Sequence, residues 1–342
     1  MKELLRKITP RFLIWIKHYI QIYFHYHRET PALAKELSKE TGIPYLTLWL
    51  EMNMAIFRFV TPDEYKIYRF YDRSRRSRNQ IITKYRMGHL ETAFNQQRSA
   101  VKSSILSEKH RYYPVLSKYI GRQWLYAPDA SDHQIEEFLC VQKQLILKPS
   151  DLGKGVGVRK VFHSDVTDIK AFCEAAKKER LLLEEVVKQH PDIDAINSTS
   201  VNTIRINTVM DKAGIPHIMC ATLRIGTGQS ITDNLSGSGI VASIDLDSGV
   251  VFTRAINADL QVYIKHPTSH VTIPGFQLPH WKATKEMVTC AAKMIPQTRW
   301  IGWDIAVSEK EPLVIEANTG AGARVMQLSS QVGVYHDFLR YL

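Results

Sequence analysis

The first quarter of the chain repeats apolar positions with the period of an α-helix. Apolar side chains recur at intervals of three and four residues, which places them on one side of a helix: Phe12, Ile16, Tyr19, Ile20 and Tyr23. Pro31 begins a second helix over residues 31–41, and a third apolar-rich helix is predicted over 45–59. Thr61 is a suitable N-cap for a fourth. The pattern predicts a basic, mostly helical N-terminal region over residues 1–90.

From about residue 140 the pattern changes to short β-branched and apolar runs, bounded by Gly, Pro, Asp and Asn. These runs predict eight strands: Leu145–Lys148, Gly155–Val161, Leu181–Val187, Ser200–Met210, Ile218–Ile225, Gly239–Ile244, Trp300–Val307 and Leu313–Asn318. Helices are predicted at about 165–179, at 281–294 and from 327 onward. Strands with interspersed helices and hairpin spacings indicate an α+β domain over residues 91–342, with mixed or antiparallel sheets.

The formal net charge of +11 is unevenly distributed along the chain. Residues 1–125 contain 23 Lys/Arg and 10 Asp/Glu, whereas residues 126–342 contain 22 and 24. The basic excess therefore lies in the first third, which argues against a protein that coats nucleic acid along its whole length. It predicts an anionic partner for the N-terminal helices, such as an acidic glycan, a carrier, a membrane surface or a peptide.

The cysteine pattern and the N-terminal run bear on the cellular location. Four cysteines lie far apart without a CxxC pair, which predicts neither a disulfide framework nor a structural zinc. The apolar run over residues 12–26 is interrupted by polar side chains, and it predicts neither a signal peptide nor a transmembrane segment. We therefore expect a cytoplasmic protein, with peripheral attachment to a membrane as the alternative.

A pair of carboxylates near the C-terminus indicates a metal site. Strand alternation places Asp304 on the face opposite its apolar neighbours, and it places Glu316 and Asn318 together on the next strand. A turn through residues 308–312 would set Asp304 directly across from Glu316. Two facing carboxylates repel each other, and Mg²⁺ prefers such oxygen ligands. A solvated acidic hairpin face is the alternative interpretation.

A lysine followed by a glycine-rich turn indicates phosphate binding. Lys148 ends a predicted strand, and Gly153, Gly155 and Gly157 follow at alternate positions, where the backbone can approach a ligand and present its N–H groups. The spacing matches neither the P-loop nor the dinucleotide-binding fingerprint. A plain hairpin with a glycine turn is the alternative.

Charged side chains also interrupt three other predicted strands. Arg205 and Arg224 lie within strands, where a charge needs a partner, so each is either a structural ion pair or a ligand of a phosphate or oxyanion. The apolar run over 181–187 contains two acids. If it borders a nucleotide pocket, backbone groups near Glu185 and Val187 would contact the adenine edge.

Taken in order, these four motifs resemble the ATP-grasp superfamily over about residues 100–330. Two segments are similar to the glutamate-ligase branch: Asn202–Ile206 and Thr232–Gly239. Three segments resemble the sugar-transfer-associated ATP-grasp domains, which are relatives of α-L-glutamate ligases: Gln189–Pro191, Ser200–Ile206 and Gly302–Asp304. The resemblance implies two α+β subdomains that grip ATP between antiparallel sheets, with a lid over about 140–187 and a metal-binding subdomain over about 198–330.

The resemblance also implies roles for individual residues. Nucleotide binding falls on Lys109, Lys148, Ser150, Gly153, Gly155, Gly157, Glu184, Glu185 and Val187. The ligands of Mg²⁺, or of Mn²⁺ in its place, are Asp304, Glu316 and Asn318. Catalytic contacts to the transferring group fall on Lys148, Arg205 and Arg224. Substrate contacts fall on Asn234, Ser236, Gly320 and Arg324. Pro191 stands where many relatives have a ribose-binding carboxylate, which leaves its neighbours His190 and Asp192 as candidates.

The activity that the resemblance implies is ATP-dependent ligation of a carboxylate to an amine through an acylphosphate, with release of ADP and phosphate. An amino acid would be attached to a sugar, peptide or other small acceptor, as in polysaccharide biosynthesis. Two alternatives stay open: a kinase that phosphorylates a hydroxyl group, and a non-catalytic ATP-binding protein with a cationic N-terminal binding module.

Overall fold

A computed structural model describes residues 20–21, 23–95, 105–153, 155–320 and 322–342. The chain divides into two compact units. The first comprises the described residues up to Gly88 together with Gln331–Tyr335, and the second comprises those of 89–330 together with 336–342. The predicted apolar positions Phe12, Ile16 and Tyr19 lie outside the described residues.

Short helices build the first unit. Their bounds are α1 Thr30–Thr41, α2 Tyr45–Ile56, α3 Pro62–Ile67 and α4 Arg75–Gln80, followed by α5 Lys84–Asn95, which begins in this unit. Apolar side chains from several of these helices form a common core that includes Leu37, Leu48, Met52 and Tyr65. The helical interpretation of this region is therefore confirmed for its described part.

Local signals explain where these helices start and stop. The Thr61 hydroxyl accepts a hydrogen bond from the Glu64 N–H (3.2 Å), while the Glu64 carboxylate accepts one from the Thr61 N–H (3.0 Å). This reciprocal pair is a capping box, and it confirms Thr61 as the N-cap of α3. Helix α2 ends at Ile56, earlier than predicted, because Phe59 adopts a positive φ of 57°.

The second unit contains two antiparallel sheets. The strands of the first are β1 Trp124–Tyr126, β2 Gln144–Pro149, β3 Arg159–Phe162 and β4 Leu181–Glu185, in the order β1-β4-β2-β3. The strands of the second are β5 Thr203–Met210, β6 Pro216–Ile225, β7 Ile240–Ile244, β8 Ala255–Ile256, β9 Val262–Tyr263, β10 Trp300–Val307 and β11 Pro312–Asn318, in the order β11-β10-β5-β6-β7-β8-β9. The α+β class with antiparallel sheets is confirmed.

Helices connect and cover these sheets. Their bounds are α6 Lys109–Tyr112, α7 Ser117–Ile120, α8 Asp132–Gln142, α9 Ile169–Lys178, α10 Pro191–Ile196, α11 Trp281–Lys293, α12 Ala323–Gln327 and α13 Tyr335–Leu339. Side chains of α8 and α9 share a core with Leu145 and Leu147 of β2. Side chains of α11 share a core with Ile301 and Trp303 of β10.

The alternation of side chains along β10 determines which of them join the core and which lie on the opposite face of the sheet. In β10, Ile301, Trp303 and Ile305 belong to the buried core, and Trp303 Nε1 donates to Thr208 Oγ1 at 2.8 Å. Because successive side chains point to opposite faces, Asp304 lies on the other side of the sheet. The predicted alternation in this strand is confirmed.

The structure differs from the predicted elements in three places, and two of the differences have identifiable reasons. The strand expected from Gly155 begins only at Arg159, because Gly155 and Gly157 both have φ of +74° and form a turn. The short strands β1, β8 and β9 were not predicted, since two or three residues carry no readable alternation. The helix expected from 327 onward is limited to α13, because α12 already ends at Gln327. Within the described residues, no helix is long and apolar enough to cross a membrane.

Candidate active site

A cleft between the two sheets of the second unit collects most of the residues predicted to bind a nucleotide. It encloses about 840 Å³ of empty space, part of it open to solvent. The predicted residues among its lining are Lys109, Lys148, Gly153, Gly155, Glu184, Glu185, Val187, Arg224, Asn234, Asp304 and Glu316. Residues that lie far apart along the chain therefore meet in one cavity.

Lys148 and Glu184 form the centre of the charge network on the first sheet. The carboxylate of Glu184 accepts hydrogen bonds from Lys148 Nζ, Arg122 Nε and Tyr113 Oη, each at 2.8 Å. Burial opposes the charged carboxylate, but Arg122 and Lys148 overcome it and lower the pKa of Glu184 to about 2. Burial also lowers the pKa of Lys148. The Glu184 side chain is therefore a buried counter-ion that holds Lys148 in the cleft.

Lys109 approaches the cleft from helix α6. Its Nζ donates to the Leu152 carbonyl oxygen (2.6 Å) and lies 3.2 Å from Glu316 Oε1. The Lys109 N–H donates to the Ser150 carbonyl oxygen (2.9 Å), and Ser150 Oγ lies 2.7 Å from His110 Nδ1. Ser150 thus contributes by fixing the start of α6 against the end of β2.

A second charge network lies on the other sheet. Arg205 binds Asp304 through Nε (2.5 Å) and Nη2 (3.0 Å), and Arg224 Nη1 donates to Asp304 Oδ1 at 2.9 Å. Arg224 Nη2 also donates to Asp233 Oδ1 (2.7 Å) and to the side-chain oxygen of Asn234. Burial opposes ionisation of Asp304, but Arg205 and Arg224 lower its pKa to about 2. Burial raises the pKa of Asp233.

The predicted metal ligands lie on adjacent strands. Asp304 is the register partner of Glu316, as predicted, and Asn318 lies across from Gly302 on the same face as Glu316. Two carboxylates and an amide oxygen are a donor set that fits Mg²⁺. Among the described residues no three His, Cys, Asp or Glu side chains form a metal-binding group.

The glycine turn packs against a loop of the opposite sheet. A Cβ atom added at Gly155 would lie 2.5 Å from Asn234 Nδ2 and 3.2 Å from Thr232 Cγ2. A Cβ added at Gly153 would meet nothing within 4 Å. The contact at Gly155 therefore requires the absence of a side chain, and it is made with Asn234, which also lines the cleft.

The remaining predicted residues do not line this cavity. They are Ser150, Gly157, His190, Asp192, Arg205, Ser236, Asn318, Gly320 and Arg324. Of these, Arg205 reaches the site through its ion pair with Asp304. The side chain of Asp192 is two-thirds exposed beside His190. Arg324 donates to the Ala258 carbonyl oxygen. The roles given to these residues stay predictions.

Sequence reasoning missed three side chains that hold the two networks. Arg122 and Tyr113 both bind Glu184, and the Asp233 carboxylate accepts from the Thr203 N–H (2.9 Å) as well as from Arg224. Asp233 stands in a segment already identified as similar to glutamate ligases, directly before Asn234, and that position could have indicated it. Nothing in the local pattern around Arg122 indicates its burial.

Two antiparallel sheets around a charged cleft are the arrangement expected of an ATP-grasp fold. The sequence model of a family described as sugar-transfer associated ATP-grasp matches residues 139–340. The chain belongs to this family.

The chain is also similar to solved structures. One is the ATP-grasp ligase PsnB complexed with a phosphomimetic variant of its minimal precursor, Mg and ADP (14% identity, TM-score 0.44). That match covers 75% of this chain and 64% of the other, so this chain spans less than two thirds of its length. Another is D-alanine–D-alanine ligase from Bacillus anthracis (15% identity, TM-score 0.43), where the match covers 75% of this chain and 73% of the other. No curated protein sequence matches the chain.

Proposed function

We propose that the protein is an ATP-dependent ligase that joins a carboxylate to an amine through an acylphosphate. The observation that carries this proposal is the convergence of Lys109, Lys148 and Arg224 with Asp304 and Glu316 in one cleft. Cations suit phosphate oxygens, and carboxylates suit a divalent metal. Membership of the ATP-grasp family supports the same assignment.

The cleft offers separate surfaces for the parts of ATP. Apolar side chains line it and would enclose the purine ring: Ile146, Val187, Val201, Ile231 and Ile315. Backbone groups at Glu185 and Val187 would contact the adenine edge, with His190 or Asp192 at the ribose. Lys109, Lys148 and the N–H groups of the glycine turn would bind phosphate oxygens.

Asp304, Glu316 and Asn318 would hold Mg²⁺, with Mn²⁺ as an alternative, and the bound ion would neutralise charge on the phosphates. Ion pairs around Asp304 and Glu316 determine whether these side chains are ionised and in position to bind a metal. Arg205 and Arg224 keep Asp304 ionised, and Lys109 lies beside Glu316. Both carboxylates are thus held in place by cations of this chain.

In the proposed reaction, an oxygen of the substrate carboxylate attacks the γ-phosphorus of ATP, and the bond to the β-phosphate oxygen breaks to release ADP. The amine nitrogen then attacks the carbonyl carbon of the acylphosphate. Inorganic phosphate leaves, and the nitrogen loses a proton to solvent. Arg224, fixed between Asp304 and Asp233, would stabilise the oxyanion of the tetrahedral intermediate, with Arg205 supporting it through Asp304. Asn234, Ser236, Gly320 and Arg324 are the proposed substrate contacts.

The test is a phosphate-release assay of the full chain with Mg-ATP against a matrix of amino acids and sugar or peptide acceptors, with mass spectrometry of the products. We expect ADP, free phosphate and an amide product. Glu316→Gln and Lys148→Ala should each abolish ADP release while retaining a wild-type circular dichroism spectrum. Glu311→Gln, an exposed carboxylate in the turn before β11, is the matched control and should retain activity.

Two outcomes would contradict the proposal. A product that keeps the phosphoryl group would identify a kinase. Full turnover by Glu316→Gln at saturating ATP would show that the carboxylate pair does not hold the catalytic metal.

A further inference from the structure

Helix α2 of the first unit is apolar on two faces. Its inner face buries Leu48 and Met52 in the core of the unit. Its outer face carries Leu46, Leu50 and Met54 at intervals of four, and these side chains are 60%, 49% and 58% exposed. Exposed apolar side chains that adjoin one another on a helix form a patch, and such patches, unlike single exposed apolar residues, indicate interaction sites. We call Leu46, Leu50 and Met54 the aliphatic stripe.

The stripe ends at a pocket rich in arginine. Met54 lines this pocket, which encloses about 750 Å³ of empty space, part of it open to solvent. Four guanidinium groups line it as well: Arg58, Arg75, Arg78 and Arg86. We call these residues the arginine pocket. An aliphatic surface therefore adjoins a concentration of positive charge.

The single carboxylate among the residues that line the pocket does not neutralise it. Glu51 accepts from Arg78 Nη2 (2.9 Å) and from the Tyr65 hydroxyl (2.8 Å). Arg58, Arg75 and Arg86 form no salt bridge with any residue that the structure describes. The exposed guanidinium groups of Arg58 and Arg75 are therefore left for an external anion, and Arg86 can offer the N–H groups that its backbone contacts do not use.

One arginine is held rigidly in place. Arg86 Nη1 donates to the carbonyl oxygens of Asn79 (2.9 Å) and Ile81 (2.8 Å) at the C-terminal end of α4. Its guanidinium lies 4.8 Å from the centre of the Tyr335 ring. A guanidinium fixed in this way loses little conformational entropy when it binds an anion.

We propose that the aliphatic stripe and the arginine pocket together bind the surface of an anionic phospholipid bilayer. Phosphate head groups contact the arginines, and the stripe lies among the acyl chains just below them. Interfacial binding of this kind combines buried apolar area with attraction to anionic lipid. An aliphatic stripe favours acyl chains over nucleic-acid bases, which stack on aromatic rings. This inference concerns the first unit and does not depend on the ligase assignment.

The test is sedimentation of the full chain, without ATP, with vesicles of phosphatidylcholine alone or of phosphatidylcholine with phosphatidylserine. We expect binding to the anionic vesicles that weakens as salt is raised. Arg58→Gln combined with Arg75→Gln should weaken it about 25-fold, since each basic residue near such a surface contributes about fivefold. Leu46→Gln combined with Leu50→Gln should also weaken it, by removing apolar contact.

A charge-matched control distinguishes binding by the arginine pocket from general attraction of basic side chains to an anionic membrane. Lys35→Gln combined with Lys39→Gln removes two exposed charges from α1 and should weaken binding by no more than about threefold. Circular dichroism of each variant verifies folding. Equal binding to neutral vesicles, or an equal loss in the control pair, would overturn the proposal. So would a wild-type dimer that dissociates in the stripe variant with vesicle binding unchanged, because the stripe would then be a subunit interface. The vesicle readout involves no turnover, so failure here is distinguishable from failure of the ligase assignment.

Discussion

The ion pair between Arg122 and Glu184 offers the sharpest test of the site's energetics. Both side chains are at most 2% exposed, and Arg122 makes further hydrogen bonds to the Ile120 and Val314 carbonyl oxygens (3.0 and 2.7 Å). Arg122→Met would leave the Glu184 carboxylate buried with only Lys148 as a cationic partner. Removing one partner of a buried pair costs about 3–5 kcal/mol. Because Lys148 remains as a partner, we expect Arg122→Met to lower the free energy of unfolding by about 3 kcal/mol, at the lower end of this range.

The pKa of Glu184 gives a magnitude for its two cationic partners, Arg122 and Lys148, taken together. A value of about 2 in the folded protein, against about 4.3 in an unfolded chain, corresponds to about 3 kcal/mol of stabilisation. Since the folded pKa is depressed, this stabilisation is fully present above pH ~4.3 and is lost as the pH falls toward 2. The stability difference between wild type and Arg122→Met should therefore narrow to about half at pH 3.

The assay is guanidinium-induced unfolding followed by tryptophan fluorescence at pH 7 and pH 3. Arg159→Met is the matched control, because the Arg159–Glu179 pair has the same 2.8 Å separation but is 43% and 48% exposed. It should cost at most about 1 kcal/mol. A loss below about 1 kcal/mol for Arg122→Met at pH 7, or a difference that does not narrow at pH 3, would refute the reasoning.

Two further substitutions test the glycine turn and the N-terminal helices. Gly155→Ala places a Cβ against Asn234 at a backbone φ of +74°, so we expect a higher KM for ATP and a decrease of about 1–2 kcal/mol in the free energy of unfolding. Gly153→Ala is the control, because its Cβ would enter open space at a residue without a positive φ, and it should change neither quantity. Equal effects at both positions would contradict the packing argument. Thr61→Ala removes the capping box of α3 and should destabilise the first unit by about 1 kcal/mol in thermal unfolding, while Thr61→Ser should retain most of the stability.

Much of the second unit was predictable because its signals are local. A period of two in β10 separates Asp304 from Ile301 and Trp303, and a short turn then places Glu316 opposite Asp304. The glycine turn was recognisable from spacing alone, although its positive φ angles make it a turn and not the start of a strand. These features depend on neighbours within about fifteen residues, which a linear pattern can show.

The partners of each charge were not predictable. The sequence allows Arg205 to be either a structural ion pair or a ligand of an anion, and the structure pairs it with Asp304. Glu184 was expected to border a nucleotide pocket, and its side chain lines the cleft and forms ion pairs there with Lys148 and Arg122. Such pairs join residues 36 to 99 positions apart. Their geometry depends on which strands, distant along the chain, the fold places side by side in one sheet.

The sequence by itself determined which residue types carry the chemistry, the strands that bear them and the basic excess of the N-terminal third. Only the tertiary structure decided which charges meet, and it added Arg122, Tyr113 and Asp233 to the site. It also showed that several basic residues of the N-terminal region line one pocket, beside an exposed aliphatic stripe. The physical reason is that hydrophobic periodicity is encoded between near neighbours, whereas a buried charge is stabilised by whichever opposite charge the fold brings within hydrogen-bonding distance.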